Sequence, residues 1–330
     1  MNTNYERREH TGTRRLGGSG AGVGYRTILE QVEDGVYFVD LDRRITYWNA
    51  GAEQITGYPA AAVTGHSCSE GILRHVTEGG YQLCTHGCPL AGVMNDGRLR
   101  EAEVYLHHRD GHRVPVTVKA SPIRDDLGQI VGSVEVFHCR DTADLATSTA
   151  SDLDASFLDP LTELGNRRFV QTHIEPMVAA GTSVGLLFID VDHFKSVNDT
   201  WGHSVGDDAL RMVGKTIAHG LRPHDWPVRW GGEEFLAVVR LASAADLELA
   251  AERLRMLVEE SWLTIDGMRV TVTVSIGATM VQPDETWQEA LDRADRLMYQ
   301  SKAAGRNRVT SERGTLPPLN RAKPVQITGR

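Results

Sequence analysis

The sequence predicts an α+β domain followed by an α/β domain, and three observations lead to this fold class. The chain has 330 residues, which exceeds one average hydrophobic core and suits two domains. In the first half, two strands and small helices precede three antiparallel strands, an order typical of α+β domains. In the second half, strands alternate with long helices, as in α/β domains with a mixed sheet.

The first domain is predicted over residues 25–140 as an antiparallel sheet with small helices. GVYFVD and ITYWN are typical of two strands joined by a turn, and Gly57 ends the helix that follows them. After an irregular middle, EVYLHH and RVPVTVKA predict a hairpin around the Asp110-Gly111 turn. IVGSVEVFH, residues 130–138, is predicted to be the last strand.

The entry into the early helix resembles that of PAS sensor domains. The Trp48-Asn49 turn and the ITGY sequence at the end of the helix carry this resemblance, which covers about residues 25–140. It implies the PAS fold and a ligand pocket built in the irregular middle. It gives no indication of which ligand the pocket would hold.

The second domain is predicted over residues 159–309, and the two ends of the chain are expected to lie outside the folded domains. Its helices are predicted within residues 166–180, 205–221, 244–260 and 286–305, and its strands within residues 183–192, 226–230, 233–240 and 268–280. Residues 1–24 are polar and glycine-rich and are expected to be a flexible arm. Residues 310–330 contain three prolines and are expected to be a disordered tail.

Carboxylates are concentrated at two places in the second domain. Asp190 and Asp192 are expected to point the same way at a strand end, because residues i and i+2 of a strand share a face. A Gly-Gly pair predicts a tight hairpin turn that presents Glu233 and Glu234. Each group alone is most often a solvated turn. Together they would suit Mg²⁺ held partly by substrate phosphates, with two ions about 3.5–4 Å apart around the reacting phosphate.

Four motifs of the second domain, in order, closely resemble the GGDEF family of diguanylate cyclases. They are DPLTELGNRR, FIDVDHFKSVNDTWGHSVGDDAL, RWGGEEF and AGRNRV, and together they span nearly all of residues 159–309. The resemblance implies a nucleotidyl-cyclase-like fold. It also implies condensation of two GTP molecules into cyclic di-GMP with release of two pyrophosphates.

The resemblance implies roles for the carboxylates. Asp190 and Glu234 would bind Mg²⁺ or Mn²⁺, helped by the main-chain carbonyl of Val191. Glu233 would assist deprotonation of the 3'-hydroxyl or hold a second ion, and a neighbouring metal would keep its side chain ionised. Asp190, Glu233 and Glu234 are therefore the expected catalytic residues.

Substrate contacts also follow from the resemblance. Asn198 and Asp207 would bind the guanine edge, and the aspartate acceptor favours GTP over ATP. Lys195, Lys302 and Arg306 would contact the phosphates. For the last two residues, an ordinary basic helix C-terminus is the alternative.

An R-x-x-D sequence lies five residues before GGEEF, where the family has its product-inhibition site. Arg222 would bind guanine or phosphate, and Asp225 would accept hydrogen bonds from guanine. Arg253 occupies the position of an arginine that often completes this site. Taken alone, such a sequence most often forms a salt bridge.

Product symmetry implies a homodimer, because each GGDEF site binds one GTP and two sites must face each other. Residues 141–158 are predicted to be a helical connector, since Ala146, Ala150, Leu153 and Phe157 have the spacing of a coiled-coil seam. A Ser/Thr-rich linker is the alternative. The resemblance favours the coiled coil, because such connectors pair in sensor–cyclase dimers.

The irregular middle of the PAS-like domain is rich in cysteine and histidine. Cys84 and Cys88 flank His86, and Cys68 and His75 lie upstream. Cys68, Cys84, Cys88 and His86 are candidates for a sensor site that binds zinc, iron or haem, or for a redox-active thiol pair. Small buried thiols that only pack the core are the alternative.

Composition excludes some partners and compartments. The net charge of −9 argues against a nucleic acid polymer as partner, because such proteins usually carry a basic face. No apolar run approaches the roughly 20 residues of a membrane helix, and the N-terminus lacks the apolar centre of a signal peptide. The expected location is the cytoplasm, where the cysteines would be thiols or ligands; Cys139 is expected in the core.

The main rival to the enzyme is a degenerate GGDEF receptor that binds nucleotide without turnover. Such domains usually lose residues of the GGEEF turn or the first aspartate, and this sequence retains Asp190, Glu233 and Glu234. A PAS-based redox or ligand sensor is compatible with the enzyme, because sensing would control catalysis through the connector.

Overall fold

Two domains, each built on one large β-sheet with its own hydrophobic core, are present in this computed structural model, which describes residues 24–142, 154–240 and 243–317. The predicted fold class, an antiparallel α+β domain followed by an α/β domain with a mixed sheet, is confirmed. Of the predicted connector seam, Ala146, Ala150 and Leu153 lie outside the described residues. Among the described residues, no helix combines the length and apolarity needed to cross a membrane.

The first sheet has five strands in the order β2-β1-β5-β4-β3, and every neighbouring pair is antiparallel. Its strands are β1 Gly35–Asp40, β2 Ile45–Trp48, β3 Arg100–His107, β4 Arg113–Arg124 and β5 Ile130–Cys139. Its helices are α1 Tyr25–Leu29, α2 Ala50–Thr56, α3 Ala60–Val63 and α4 Pro89–Asp96, with a 3₁₀ turn at Cys68–Glu70.

Asn49 joins α2 to the sheet. Its buried side chain accepts hydrogen bonds from the N–H groups of Ala52 and Val36, both at 2.8 Å, so one oxygen caps the helix and holds β1. Gly57 ends α2 with a φ of 71°, the left-handed conformation that glycine adopts most easily. The Trp-Asn turn that predicted a PAS-like helix entry therefore links the start of α2 to β1 through the side chain of Asn49.

The second sheet has six strands in the order β13-β12-β11-β6-β8-β7 and is mixed, because β11 and β12 run parallel while the other neighbours are antiparallel. Its strands are β6 Gly185–Val191, β7 Trp226–Gly231, β8 Glu234–Val239, β11 Val274–Met280, β12 Val309–Ser311 and β13 Gly314–Thr315. A separate ribbon is formed by β9 Leu263–Ile265 and β10 Met268–Val270.

Helices cover both faces of this sheet. They are α5 Arg167–Phe169, α6 Glu175–Ala179, α7 Phe194–Trp201, α8 His203–Gly220, α9 Ala244–Glu259 and α10 Trp287–Ala303, with a π-helical segment Val170–Ile174 between α5 and α6. Strand β6 is buried along its whole length. Its residues alternate between a core shared with α8 and α9 and a core shared with α5 and α10.

Two predicted segments differ in the structure. Phe157, the last predicted seam position, lies in the 3₁₀ turn Ala155–Phe157, and its ring centroid is 4.8 Å from that of His173. It therefore packs against the second domain. Residues 310–315, predicted to lie in the disordered tail, are ordered instead, because β12 and β13 extend the sheet through Thr315.

The two domains contact each other through an apolar cluster and a buried arginine. Val76 and Tyr105 of the first domain pack against Met256 and Leu257 of α9, and all four side chains are buried. Arg113 is fully buried.

The guanidinium of Arg113 connects main-chain groups of both domains. It donates hydrogen bonds to the Arg74 carbonyl at 2.8 Å and to the Glu260 carbonyl. The ring of Trp262 lies 3.5 Å from that of His107, in a stacked arrangement. Apolar packing and directional hydrogen bonds therefore fix the same interface.

Candidate active site

The carboxylates predicted to converge lie on two neighbouring strands. Asp190 of β6 is directly opposite Glu234 of β8 in the antiparallel ladder. Glu233 precedes Glu234 in the turn, and its carbonyl accepts a hydrogen bond from the Val191 N–H at 3.2 Å. Gly232 has a φ of 44°, a conformation that side-chain-bearing residues rarely adopt. The turn thus places both glutamates beside the end of β6.

A side chain of the same motif and one of the DPLT motif hold this turn in place. Arg229 donates to the Gly232 carbonyl at 2.7 Å and to Asp159 at 3.0 Å. Asp159 also accepts hydrogen bonds from the main-chain and side-chain donors of Thr162. Burial alone would raise the pKa of Asp159, but the bonds from Thr162 and Arg229 lower it. The DPLT and RWGG motifs therefore form one support for the turn.

Asp190 is buried and only half satisfied. Its Oδ2 lies 2.7 Å from Nζ of Lys302, whereas its Oδ1 is buried without a hydrogen-bond partner. Burial raises the pKa of Asp190, and repulsion from the carboxylates of Asp192 and Asp295 acts in the same direction.

The pKa values of the two glutamates of the turn are raised as well. Burial and then the charge of Asp190 raise the pKa of both Glu233 and Glu234. Lys302 opposes this effect at both glutamates without cancelling it. The group carries more negative charge than its surroundings neutralise.

These features fit a divalent cation with hard oxygen ligands. Within the described residues, no group of three or more His, Cys, Asp or Glu side chains is arranged to hold a metal on its own. Mg²⁺ is commonly bound by one or two carboxylates together with phosphate oxygens and water. Asp190 and Glu234, opposite each other on β6 and β8, supply that smaller set, and one oxygen of Asp190 has no hydrogen-bond partner.

Asp192 has a different environment. Its oxygens accept hydrogen bonds from the hydroxyls of Thr273 and Ser275, both at 2.7 Å, and from the Asn307 N–H at 3.0 Å. The side chain is therefore committed to holding β11 and the loop after α10. Of the four carboxylates that the sequence singled out, Asp190, Glu233 and Glu234 therefore lie near one another, while Asp192 holds other parts of the structure.

The residues predicted to bind guanine lie at the junction of α7 and α8. The notable contact is between Asn198 of α7 and Gly206 of α8: a Cβ at Gly206 would lie 1.9 Å from Oδ1 of Asn198. Only glycine leaves room for this side chain. Asp207 follows on the exposed surface of α8, and Lys195 is exposed on α7. The helix α7, which carries Asn198 and Lys195, was not predicted from the sequence.

The basic residues after α10 occupy two different positions. Lys302 reaches Asp190, whereas Arg306 is exposed. Arg306 and Asn307 have φ values of 60° and 47°, an uncommon pair of left-handed residues that turns the Asn307 N–H toward Asp192. Lys302, predicted to contact a phosphate, therefore forms an ion pair with Asp190 in this structure.

The predicted inhibitory residues line one cavity of about 320 Å³. Asp225 is buried, and its two oxygens accept hydrogen bonds from the N–H groups of Arg222 and Arg240, each at 3.0 Å. Arg253 of α9 faces the same cavity. Its Nη1 lies 2.5 Å from Oε1 of Glu78, a residue of the first domain that the sequence did not suggest.

Three of the four candidate sensor residues share a small cavity of about 10 Å³ in the first domain, roughly the space of one water molecule. Cys68, Cys84 and Cys88 line it together with His75 and Glu135. Nε2 of His75 lies 3.6 Å from Oε1 of Glu135. That imidazole nitrogen and the second oxygen of Glu135 are buried without hydrogen-bond partners.

His86 does not line this cavity. It is exposed, and its ring contacts the hydroxyl of Thr85 at 2.7 Å. The histidine that lines the cavity is His75, whose main-chain N–H donates to Sγ of Cys84 at 3.3 Å. Cys139, predicted in the core, is exposed because it is the last residue of β5.

Burial sets the protonation of the groups in this cavity. It raises the pKa of Cys84 to about 12 and that of Glu135 to about 7, and it lowers the pKa of His75 to about 4. Near neutral pH the cavity therefore holds neutral thiol and imidazole groups beside a carboxyl that titrates.

Among curated proteins, diguanylate cyclase A of Treponema denticola is 36% identical over 183 residues, which cover 53% of this chain and 49% of that protein. Diguanylate cyclase DosC of Escherichia coli is 40% identical over 157 residues, covering 46% of this chain and 34% of DosC. The response regulator PleD of Caulobacter vibrioides is 38% identical over 168 residues, 48% of this chain and 37% of PleD. This chain thus spans between about a third and a half of these relatives.

Among solved structures, the GGDEF domain of DgcB from Caulobacter crescentus, in complex with c-di-GMP, is 34% identical. The match covers 48% of this chain and 97% of that domain, with a TM-score of 0.46. Residues 156–308 match the family model described as diguanylate cyclase, GGDEF domain, and residues 33–141 match a PAS domain model. The chain therefore belongs to the GGDEF family, with a PAS domain preceding its GGDEF domain.

Proposed function

We propose that the GGDEF domain is a diguanylate cyclase, a nucleotidyltransferase that joins two GTP molecules into cyclic di-GMP and releases two pyrophosphates. The observation that carries this proposal is the pairing of Asp190 with Glu234 across neighbouring strands, together with a buried oxygen of Asp190 that has no hydrogen-bond partner. A site of this kind needs a cation, and a triphosphate brings one with it. The named relatives support the choice of reaction.

Asp190, Glu234 and the carbonyl of Val191 would hold Mg²⁺ or Mn²⁺. When bound, the ion neutralises charge on the triphosphate. Glu233 lies in the turn with a raised pKa, which favours acceptance of the proton from the attacking 3'-hydroxyl. Lys302 pairs with Asp190 at 2.7 Å and would turn to a phosphate oxygen when a cation takes its place.

Recognition of the base would fall to Asn198 and Asp207. The aspartate can accept from N1–H and N2–H of guanine, and adenine offers no equivalent donors. Lys195 and Arg306 are exposed and free to reach phosphates as a point charge and as a planar fork. These assignments favour GTP over ATP.

The active form would be a homodimer located in the cytoplasm, where GTP is available. Each chain presents one set of catalytic carboxylates, and the product contains two identical phosphodiester bonds. Two GGDEF domains must therefore face each other for each 3'-hydroxyl to attack the other nucleotide. The PAS domain would control this geometry.

Product inhibition would act at the cavity of Arg222, Asp225 and Arg253. Two arginines and a carboxylate within one cavity of about 320 Å³ match the acceptors and donors of a guanine nucleotide. In sequence, Arg222 and Asp225 come directly before β7, and the catalytic turn lies at the other end of that strand. Steady-state product yield should rise in Arg222→Ala, and unchanged inhibition would contradict the assignment.

The thiol-lined cavity of the PAS domain would be the sensor site. The observation in favour is the pair of unpartnered buried polar atoms on His75 and Glu135, next to three thiols. A cavity of about 10 Å³ has no room for haem, and the side chains of this part of the described structure are not arranged as a metal site, so the ligand that fits best is a small thiol oxidant. Protein purified with neither metal nor chromophore, and with activity insensitive to oxidants, would rule out this role.

The test of the enzyme is incubation of the purified protein with GTP and Mg²⁺ and, separately, with ATP. Products are separated by chromatography beside a Glu234→Ala control. Cyclic di-GMP from the unsubstituted protein alone supports the proposal. Absence of product in a dimer free of bound nucleotide favours the alternative, a receptor that binds nucleotide without turnover.

A further inference from the structure

The guanidinium of Arg253 is shared between the two domains. Its Nε donates to the Gly220 carbonyl at 3.0 Å, which fixes the side chain on the GGDEF domain. Its Nη1 forms the ion pair with Glu78 of the PAS domain. The arginine side chain is 9% exposed, whereas that of Glu78 is 65% exposed. The PAS domain thus supplies the exposed carboxylate of this ion pair, and the GGDEF domain supplies the buried guanidinium.

The ion pair lies in the cavity proposed to bind product. Glu78 and Gly79 line that cavity together with Arg222, Asp225 and Arg253. The two oxygens of Asp225 accept hydrogen bonds from main-chain N–H groups, and its charge acts on Arg222 and Arg253 through space. Glu78 is the carboxylate that pairs with the Arg253 guanidinium, to which a phosphate of the product would bind.

Domain docking holds Glu78 at this position. Two residues before it, Val76 is buried against Met256 and Leu257. Two residues after it, Gly80 has a φ of 77°, and a Cβ there would lie 2.9 Å from Cγ of Met256. The segment is therefore packed on both sides of Glu78, which keeps the carboxylate within reach of Arg253, and the ion pair itself adds to the contact between the domains.

We infer that Glu78 is a built-in competitor of the product at the inhibitory cavity. A ligand with two phosphodiester anions must displace the Glu78 carboxylate from Arg253, or bind against its charge. Docking of the PAS domain and binding of product are then opposed. Because such coupling is reciprocal, product also weakens docking, and any signal that releases the PAS domain sensitises the enzyme to feedback. This inference rests on the proposed product-inhibition site.

The test is calorimetric titration of the full-length chain with cyclic di-GMP, in a Glu234→Ala background that makes no product of its own. Glu78→Gln keeps the size of the side chain and removes its charge. Glu101→Gln is the matched control, since Glu101 is an exposed PAS carboxylate paired with Lys119. Arg222→Ala reports whether product binds in the predicted cavity.

Glu78→Gln is expected to bind cyclic di-GMP about two- to fivefold more tightly, the scale of one partly exposed charge pair. The gain should shrink at high salt, where the charge of Glu78 is screened. Glu101→Gln should bind like the parent, and Arg222→Ala should lose binding. Hydrogen exchange at the Val76–Tyr105 and Met256–Leu257 contact should increase when product binds.

The outcomes separate the inference from the proposed function. If Arg222→Ala loses binding while Glu78→Gln binds like the parent or more weakly, the competitor role is wrong and the inhibitory site stands. If the parent does not bind, or Arg222→Ala binds like it, the inhibitory site itself is wrong and the inference falls with it.

Discussion

Asp190 of the GGDEF domain and Glu135 of the PAS domain are both buried carboxyl groups with one oxygen that lacks a hydrogen-bond partner. Asp190 lies at a strand end beside Glu233 and Glu234, so negative charge accumulates there. Glu135 lies within β5, where the hydroxyl of Tyr37 donates to it at 2.9 Å. The cavity beside it has room for about one water molecule.

The difference shows that the neighbouring charges determine whether a buried carboxyl group is neutralised by a cation or by a proton. At the catalytic turn, several carboxylates compete for one lysine, and a divalent cation relieves their repulsion. In the PAS cavity, burial raises the pKa of Glu135 to about 7, so a proton is sufficient. The following experiments test whether one group needs a cation and the other a proton.

The largest effect is expected for Asp190→Asn. This change removes a proposed metal ligand, and cyclic di-GMP synthesis should fall by about a thousandfold or more. Asp295→Asn is the control, because Asp295 is an exposed neighbouring carboxylate with no proposed role. It should retain activity within about twofold. Chromatographic product assays, with melting temperatures to show folding, measure both; equal losses would mean that general charge matters and not ligation.

The catalytic turn could be predicted because its parts are local. Asp190 ends an apolar strand, and two glycines followed by two glutamates mark the hairpin, so short-range rules were sufficient. The separation of roles between Asp190 and Asp192 could not be read in the same way. It depends on the hydroxyls of Thr273 and Ser275, which β11 brings across from a distant segment.

The PAS cavity was only partly predictable for the same reason. Glu135 and Tyr37 are 98 residues apart and meet because β1 pairs with β5. His86 was favoured because it lies between two cysteines in sequence. The bridge between Val76 and Gln82 folds the chain back so that His75 lies beside Cys84 instead.

The second largest effect is expected for Glu135→Gln at about pH 8. The folded-state pKa of Glu135, about 7, lies above its unfolded value. Its stabilising contribution is therefore present below the unfolded pKa and is lost as the pH rises through about 7. Glutamine avoids ionising a buried group and should stabilise β5 by about 2 kcal/mol at the higher pH, with little effect near pH 4.

Hydrogen exchange of the β5 amides at the two pH values measures this change. Glu101→Gln, an exposed carboxylate change, should alter neither value. A destabilised Glu135→Gln protein at about pH 8 would mean that the ionised carboxylate has a cation partner, and the contrast with Asp190 would disappear.

A smaller effect is expected for Gly206→Ala. The added Cβ would lie 1.9 Å from Oδ1 of Asn198, so that side chain must turn away from its position near the proposed base site. We expect the KM for GTP to rise about tenfold with little change in kcat, because the carboxylates are untouched. Ser204→Ala, an exposed position on the same helix, is the control. A loss confined to kcat would contradict a role for Asn198 in binding.

The smallest effect is stabilisation by Mg²⁺ without nucleotide. If the site binds Mg²⁺ in the millimolar range, about 10 mM of the ion should raise the melting temperature of the GGDEF transition by roughly 2–4 °C. The raised pKa values of Asp190, Glu233 and Glu234 mean that protons compete for the ligands at a higher pH than for ordinary carboxyls, so the shift should diminish as the pH falls. Asp190→Asn should abolish the shift and Glu135→Gln should preserve it. A shift that survives in Asp190→Asn would place the cation elsewhere, and the carboxylates of the turn would then require another partner.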